Sequence, residues 1–272
     1  MTDRYAVVGN PVAHSKSPEI HAMFARECGA DMQYERLLAP ATEFAATVDA
    51  FRISGASGAN VTLPFKLEAF DYAGARTARA ERGRSVNTLR FDANEIVGDN
   101  TDGVGLCRDI VSNIGQPLLG ARILLVGAGG AARAVIGALL DFQPATLVIT
   151  NRTPDKAQAI VDEFNARNVF YAIGYSALPT HRFDVLINAT SASLTASLPV
   201  VPVSCFEQNA LAYDMMYGKG QTPFLALAAS AGARTADGLG MLVEQAAEAF
   251  FVWRGVRPVT GSVLKSMRQS TR

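Results

Sequence analysis

Histidine and cysteine are scarce in this chain of 272 residues, with three of each and a single tryptophan. Cys28, Cys107 and Cys205 are odd in number, far apart and in no C-x-x-C pair. That pattern excludes a disulfide framework and fits reduced, mostly buried thiols in the cytosol. His14, His21 and His181 share no ligand spacing with acids or cysteines, so no metal centre is expected. Charge is sparse as well: only 18% of residues are charged, and 25 basic residues cancel 25 acidic ones. A neutral chain argues against nucleic acid or an anionic membrane as partner. No uninterrupted apolar run is long enough to span a bilayer, and the opening MTDRYAVVGN has no apolar signal core. A soluble cytoplasmic protein without a secretory leader is the expectation. Internal repeats, low-complexity tracts and charged tails are also missing.

Small and apolar residues are plentiful. Hydrophobic residues make up 49% of the chain, enough for a large core, and its length suits two domains. The most informative stretch is Arg122 to Ala134, RILLVGAGGAARA. A β-rich run, Ile123 to Val126, meets Gly127-Ala128-Gly129-Gly130-Ala131-Ala132, and a small-residue helical pattern follows from Arg133. This is G-x-G-x-x-A between a strand and a helix, the context in which the motif signifies dinucleotide binding. Gly127 can take the turn's unusual φ, Gly129 has no Cβ to block a pyrophosphate, and Ala132 lets helix and strand approach. Phosphates would meet free N–H groups and the positive end of the helix dipole. The bland alternative is a buried strand–turn–helix with fortuitous glycines.

The next strand, Thr146 to Thr150, runs into Asn151-Arg152-Thr153, with Lys156 one turn into the following helix. An NAD site usually has an acidic residue here for the ribose 2′-hydroxyl. Arg152 can instead stack on adenine and donate to a 2′-phosphate, with Lys156 adding charge, so NADP is favoured. Thr153 and Pro154 also read as an N-cap and first helical residue, which leaves Arg152 free for that task.

In the first hundred residues strand and helix alternate, which predicts a parallel-rich α/β arrangement. Strands are expected at Tyr5–Gly9, Gln33–Leu38 and Gly58–Thr62, and a helix from Pro18 to Cys28 with Ser17 as its cap. A hairpin, Val86–Phe91 and Asn94–Gly98, precedes a helix from Val104 to Ile114. The dinucleotide unit continues through strands at Val169–Ala172, Phe183–Asn188 and Ala210–Asp214. Late helices, Met241–Val252 and Gly261–Ser270, are expected to return to the first domain. The expected division is residues 1–103 plus 238–272 against 104–237.

Ligands of open parallel sheets sit beyond strand carboxyl ends, and four polar groups fall there. Ser15 and Ser17 flank a helix start and make a neutral corner suited to a carboxylate, or an ordinary capped loop. Lys66, just after a strand end and Pro64, could exchange a proton if partly desolvated, or could snorkel to solvent. Asn87 sits inside an apolar strand, where an amide needs a partner. Asp102 lies at a helix start, where the dipole alone favours a carboxylate. Nothing in the sequence places Lys66 and Asp102 side by side.

Taken together the strings VVGNPVAHSKSPEIH, NVTLPFK, SVNTL, GDNTDGVG, GAGGAARA, NRT, NATS, YDMMYGKGQTPFL and DGLGMLVEQAA resemble the shikimate dehydrogenase family. The matches run nearly end to end. The resemblance implies reversible reduction of 3-dehydroshikimate to shikimate with NADP(H), on the way to aromatic amino acids. It implies that Ser15, Ser17 and Tyr217 hold a carboxylate, and that Thr62, Lys66, Asn87, Asp102 and Gln245 meet ring hydroxyls. Lys66 and Asp102 would be the proton-transfer dyad. Gly127, Ala128, Gly129, Gly130 and Ala131 would cradle the pyrophosphate, and Asn151, Arg152, Thr153 and Lys156 would read the 2′-phosphate. Met215 and Gly238 would border the nicotinamide. Gln245 is singled out by the resemblance alone. The chain departs from the pattern at Ala22, at Arg84-Ser85 and at Ser193. Two other readings stay open: a quinate/shikimate dehydrogenase that also accepts NAD, and a non-catalytic sensor of NADP or a cyclohexene acid. A monomer or a homodimer is expected.

Overall fold

The computed structural model describes residues 2–164, 166, 168–190, 201–218 and 220–270. They form two compact units: the chain up to Gly105 together with Leu242–Ser270, and Leu106–Met241.

The first unit begins with β1 (Asp3–Gly9), whose YAVVG run is fully buried. Helices α1 (Ser17–Cys28) and α2 (Phe44–Ile53) alternate with β2 (Met32–Leu38) and β3 (Gly58–Val61). Both of those strands pair parallel to β1, one on each side. Short helices α3 (Lys66–Tyr72) and α4 (Ala78–Gly83) flank a two-residue β4 (Ala75–Arg76) before the hairpin of β5 (Thr88–Phe91) and β6 (Ile96–Asp99). The sheet order is β2-β1-β3-β5-β6-β4. Strand β5 runs antiparallel to both β3 and β6, so the sheet is mixed where alternation by itself predicts a parallel one. The reason is local, because a tight hairpin can only join antiparallel strands.

Val8, Phe44, Phe65, Val86 and Leu89 pack together in this unit's core. Each fully buried phenylalanine contributes about 1.5–3 kcal/mol relative to exposure. A second, aromatic cluster surrounds His21, which stacks on Tyr34 with ring centroids 4.2 Å apart and planes 6° off parallel. Trp253 and Phe250 lie 5.4 and 6.4 Å away. Both belong to α9 (Leu239–Arg254), which α10 (Thr260–Ser270) follows. Ser17 is the first residue of α1 rather than its cap: Lys16 holds that position, and no side chain caps the helix. The Ser15 hydroxyl accepts the Ser17 N–H instead, at 3.3 Å.

The second unit is an all-parallel sheet in the order β12-β11-β10-β7-β8-β9. Its strands are β7 (Arg122–Val126), β8 (Thr146–Thr150), β9 (Phe170–Ala172), β10 (Phe183–Asn188), β11 (Phe206–Asp214) and β12 (Arg234–Asp237). Helices α6 (Gly130–Asp141), α7 (Pro154–Glu163) and α8 (Pro223–Ser230) connect them. Edge strand β12, RTAD, offers no apolar alternation and escaped the sequence pattern. Helix α5 (Asp102–Arg108) gives way to a π-helical turn at Asp109–Asn113, where periodicity predicts one unbroken helix. There the fully buried Asp109 carboxylate accepts from the Tyr213 hydroxyl at 2.7 Å and the Asn113 amide at 2.9 Å. Strand order reverses at β7, which sets a switch point at its carboxyl end. Among the described residues no helix is long and apolar enough to cross a membrane.

Candidate active site

The dyad is assembled in the first unit from the ends of three segments. Thr62 follows β3 and donates its N–H to Val8 at 2.9 Å. Phe65, 1% exposed, anchors the turn in the core and delivers Lys66 at the start of α3. The Lys66 Nζ lies 2.5 Å from Asp102 Oδ2, with the two side chains only 16% and 7% exposed. This lysine does not snorkel to solvent. Asp102 opens α5, its N–H donating to Asn100 Oδ1 at 3.1 Å. Its other oxygen accepts from Asn87 Nδ2 at 2.9 Å. Gly105 lets α5 and α9 close on each other, since a Cβ there would sit 2.7 Å from the backbone nitrogen of Gln245. That approach brings Gln245 Oε1 within 3.4 Å of Asn87 Nδ2. Lys66, Asn87, Asp102 and Gln245 thus form one hydrogen-bonded set. A lysine paired and shielded in this way can hold a proton at hydrogen-bond reach of a bound oxygen.

An ion pair between the buried Asp99 and the half-buried Arg79 locks the loop that presents Asp102. Asp99 accepts from Arg79 Nε at 2.6 Å and Nη2 at 2.7 Å, and from the Asn100 N–H at 2.7 Å. Burial raises the Asp99 pKa, but the hydrogen bonds and charge of Arg79 outweigh it and hold the carboxyl below its ordinary range. Arg79 also reaches Glu248 on α9 at 2.7 Å.

Ser15 and Ser17 form a second corner, with their hydroxyl oxygens 3.2 Å apart. Behind it, Arg36 of β2 donates to the Ser15 carbonyl at 2.6 and 3.0 Å. The corner is therefore less neutral than its own residues indicate. Tyr217 belongs to the second unit and is half-buried in the segment after β11.

The second unit carries the glycine turn. Gly127 has φ +113°, and a Cβ there would meet Thr190 at 3.0 Å and the Ala189 backbone at 3.2 Å. Beyond it, Cβ positions at Gly129 and Gly130 face open space, and no side chain caps α6. The first N–H groups of that helix are thus left for an anion, and a pyrophosphate fits there. Ala128 and Ala131 are half-buried beside the turn, and Ala132 is fully buried under the helix. At the end of β8, Arg152, Thr153 and Lys156 are exposed and Asn151 is half-buried. Thr153 holds the N-cap position of α7, but its hydroxyl makes no capping bond. The Asn151 side chain donates to the Thr153 carbonyl at 3.0 Å, which shapes that turn. Gly238 donates its N–H to Met216 at 3.0 Å, next to Met215. This donor set, basic and without a carboxylate at the strand end, matches a 2′-phosphate.

Comparison with known proteins gives the family. Residues 7–89 match the shikimate dehydrogenase substrate-binding domain, 109–206 match shikimate/quinate 5-dehydrogenase, and 238–268 match the shikimate 5′-dehydrogenase C-terminal domain. An NADP(+) shikimate dehydrogenase of Nitrosospira multiformis is 56% identical over 99% of this chain and 98% of its own. The chain belongs to the shikimate dehydrogenase family. Among solved structures, an Ael1 enzyme from Pseudomonas putida is 48% identical over 97% of this chain and 98% of its own, with a TM-score of 0.92. A shikimate 5-dehydrogenase of Thermus thermophilus, crystallised with NADP(H) and shikimate, gives 0.89 at 32% identity, covering 99% of this chain and all of its own (100%).

Of the departures from the family's pattern, Ala22 is exposed on α1, and Ser193 lies outside the described residues. Arg84 takes φ +43° as the C-cap of α4. Ser85 is fully buried, and its hydroxyl has no hydrogen-bond partner. An unanswered hydroxyl costs about 1–3 kcal/mol, which a smaller apolar residue avoids. Sequence reading passed over Asn60, Thr88 and Arg36. The first two are polar residues in buried strands, the same signal that marked Asn87. Arg36 gave no signal, because its partner is a main-chain carbonyl 21 residues away.

Proposed function

We propose that this chain interconverts 3-dehydroshikimate and shikimate with NADP(H), with Lys66 and Asp102 managing the proton. The observation that carries the reading is the shielded 2.5 Å Lys66–Asp102 pair, set in a chain more than half identical to NADP-dependent shikimate dehydrogenases. In the reductive direction Lys66 gives a proton to the C3 oxygen, and in the oxidative direction it takes one back. Asp102 aims the Lys66 Nζ, which is an ammonium when it donates and an amine when it accepts. Thr62, Asn87 and Gln245 orient the ring hydroxyls, while Ser15 and Ser17, helped by Tyr217, hold the carboxylate. NADP(H), when bound, supplies or accepts the hydride. Gly127, Ala128, Gly129, Gly130 and Ala131 receive its pyrophosphate, Asn151, Arg152, Thr153 and Lys156 its 2′-phosphate, and Met215 and Gly238 border its nicotinamide. On this reading residues 1–103 with 238–272 are the substrate-binding, catalytic part, and 104–237 the nucleotide-binding part. The enzyme works in the cytoplasm as a monomer or homodimer, without nucleic-acid or membrane partners.

Mixing the protein with shikimate or quinate and NADP⁺ or NAD⁺, and following nicotinamide absorbance, tests the reading. Rapid reduction with shikimate and NADP⁺ alone is expected. Comparable rates with NAD⁺ or quinate would instead assign the broader quinate/shikimate activity. Replacing Arg152 by alanine is expected to raise KM for NADP⁺ by about tenfold or more, the scale of one lost charge-assisted contact. KM for NAD⁺ should stay put. Equal losses with both cofactors would show that Arg152 does not read the 2′-phosphate.

A further inference from the structure

We propose that Thr88 is a positioning residue of this dehydrogenase, turning the Asn87 amide so that its nitrogen faces Asp102. The proposal rests on the assignment of Lys66 and Asp102 as the proton-transfer pair. Thr88 is fully buried, so it cannot touch a substrate, and any effect it has on turnover must pass through its neighbours.

The orientation follows from which groups can only donate and which can only accept. Asn60 Nδ2 lies 3.1 Å from the main-chain carbonyl of Asn87, an obligatory acceptor, so this end of Asn60 is its nitrogen. Its oxygen then accepts from the Tyr34 hydroxyl at 2.7 Å. The same Nδ2 donates to Thr88 Oγ1 at 3.0 Å, which turns the Thr88 proton toward Asn87 Oδ1, also at 3.0 Å. The Thr101 N–H, an obligatory donor, reaches that oxygen at 2.8 Å. With two donors on its oxygen, Asn87 must present its nitrogen to Asp102 Oδ1 at 2.9 Å. Gln245 agrees with this polarity, since its nitrogen is committed to the Leu242 carbonyl and its oxygen faces Asn87. Every donor in the series Tyr34, Asn60, Thr88, Asn87 points toward the dyad, and such chains polarise cooperatively. The result is an Asp102 that receives an N–H on one oxygen and Lys66 on the other.

The test compares Thr88→Val, which removes the hydroxyl at constant shape, with Thr88→Ser, which keeps it. Shikimate oxidation is measured across pH, and NADPH affinity is measured separately by nucleotide fluorescence. Thr88→Val is expected to lower kcat about tenfold, the scale of one buried hydrogen bond, with NADPH affinity unchanged. The pH profile of kcat should change as well, because the aim of the Asn87 N–H at Asp102 Oδ1 is lost. Thr88→Ser should stay within about twofold of wild type. Thr88→Ala provides the same comparison if the valine variant does not fold. A valine or alanine variant with wild-type kcat and profile, or a serine variant as impaired as valine, overturns the proposal. Wild-type protein that fails to oxidise shikimate at all overturns the dehydrogenase reading, and this proposal with it.

Discussion

Replacing Lys66 by alanine is expected to lower turnover with shikimate and NADP⁺ at least ~10²-fold, the usual scale of general acid–base catalysis. The fold should tolerate the change. What the surrounding structure takes from Lys66 is its main-chain carbonyl, which accepts the Val86 N–H at 3.0 Å and survives any side-chain substitution. The cost falls on the site. Asp102, 5% exposed, loses the cation that its Oδ2 faces at 2.5 Å and keeps only hydrogen bonds. The C3 hydroxyl then has no amine to which it can give its proton as hydride leaves. Nucleotide binding should persist, because the glycine turn and Arg152 belong to the other unit. Steady-state turnover, measured beside NADPH binding, separates the two effects. Turnover within a few-fold of wild type would remove Lys66 from the mechanism. A wild-type protein that binds NADP⁺ but never reduces it would favour a sensor.

Acid should weaken the folded state through His21. Its ring is fully buried, and burial, opposed only by the Asn60 side chain, pushes its pKa from the ordinary 6.5 down to about 3. The folded protein therefore keeps His21 neutral between pH 6.5 and 3, while the unfolded chain binds a proton there. Stability falls wherever the unfolded state binds more protons, so this contribution is intact above pH 6.5 and shrinks as pH drops. The loss reaches about 2 kcal/mol by pH 5, from roughly 1.4 kcal/mol per pH unit below the unfolded value. His21→Phe keeps the stack on Tyr34 and removes the titration. Urea unfolding at pH 7 and pH 5 should show a fall that is about 2 kcal/mol smaller in that variant. Equal falls in the two proteins would mean that His21 does not titrate across this range on unfolding.

Most of the second unit was legible in the sequence. Gly127, Gly129 and Ala132 are local requirements of one tight turn, so their spacing announces the turn wherever the flanks are strand and helix. Thr146–Thr150 and Phe183–Asn188 coincide with β8 and β10, because buried parallel strands read as unbroken apolar runs. Strand β12 and the two-residue β4 were invisible for the opposite reason. Their place is set by the edges they join, not by their own residues. The π-turn at Asp109 was equally hidden, since its partner Tyr213 lies 104 residues away.

The sequence by itself determined the family, the strand–helix alternation, the glycine turn before α6 and the basic residues at the end of β8. All of these depend on neighbours within a few positions, where backbone geometry and charge act directly. Tertiary structure alone decided that Lys66 meets Asp102 across 36 residues, and that Gln245 reaches Asn87 across 158. It also decided that Arg36 stands behind Ser15, and that Thr88 and Asn60 orient Asn87. Hydrogen bonds need atoms about 3 Å apart, and only the packing of distant strands and helices sets such distances.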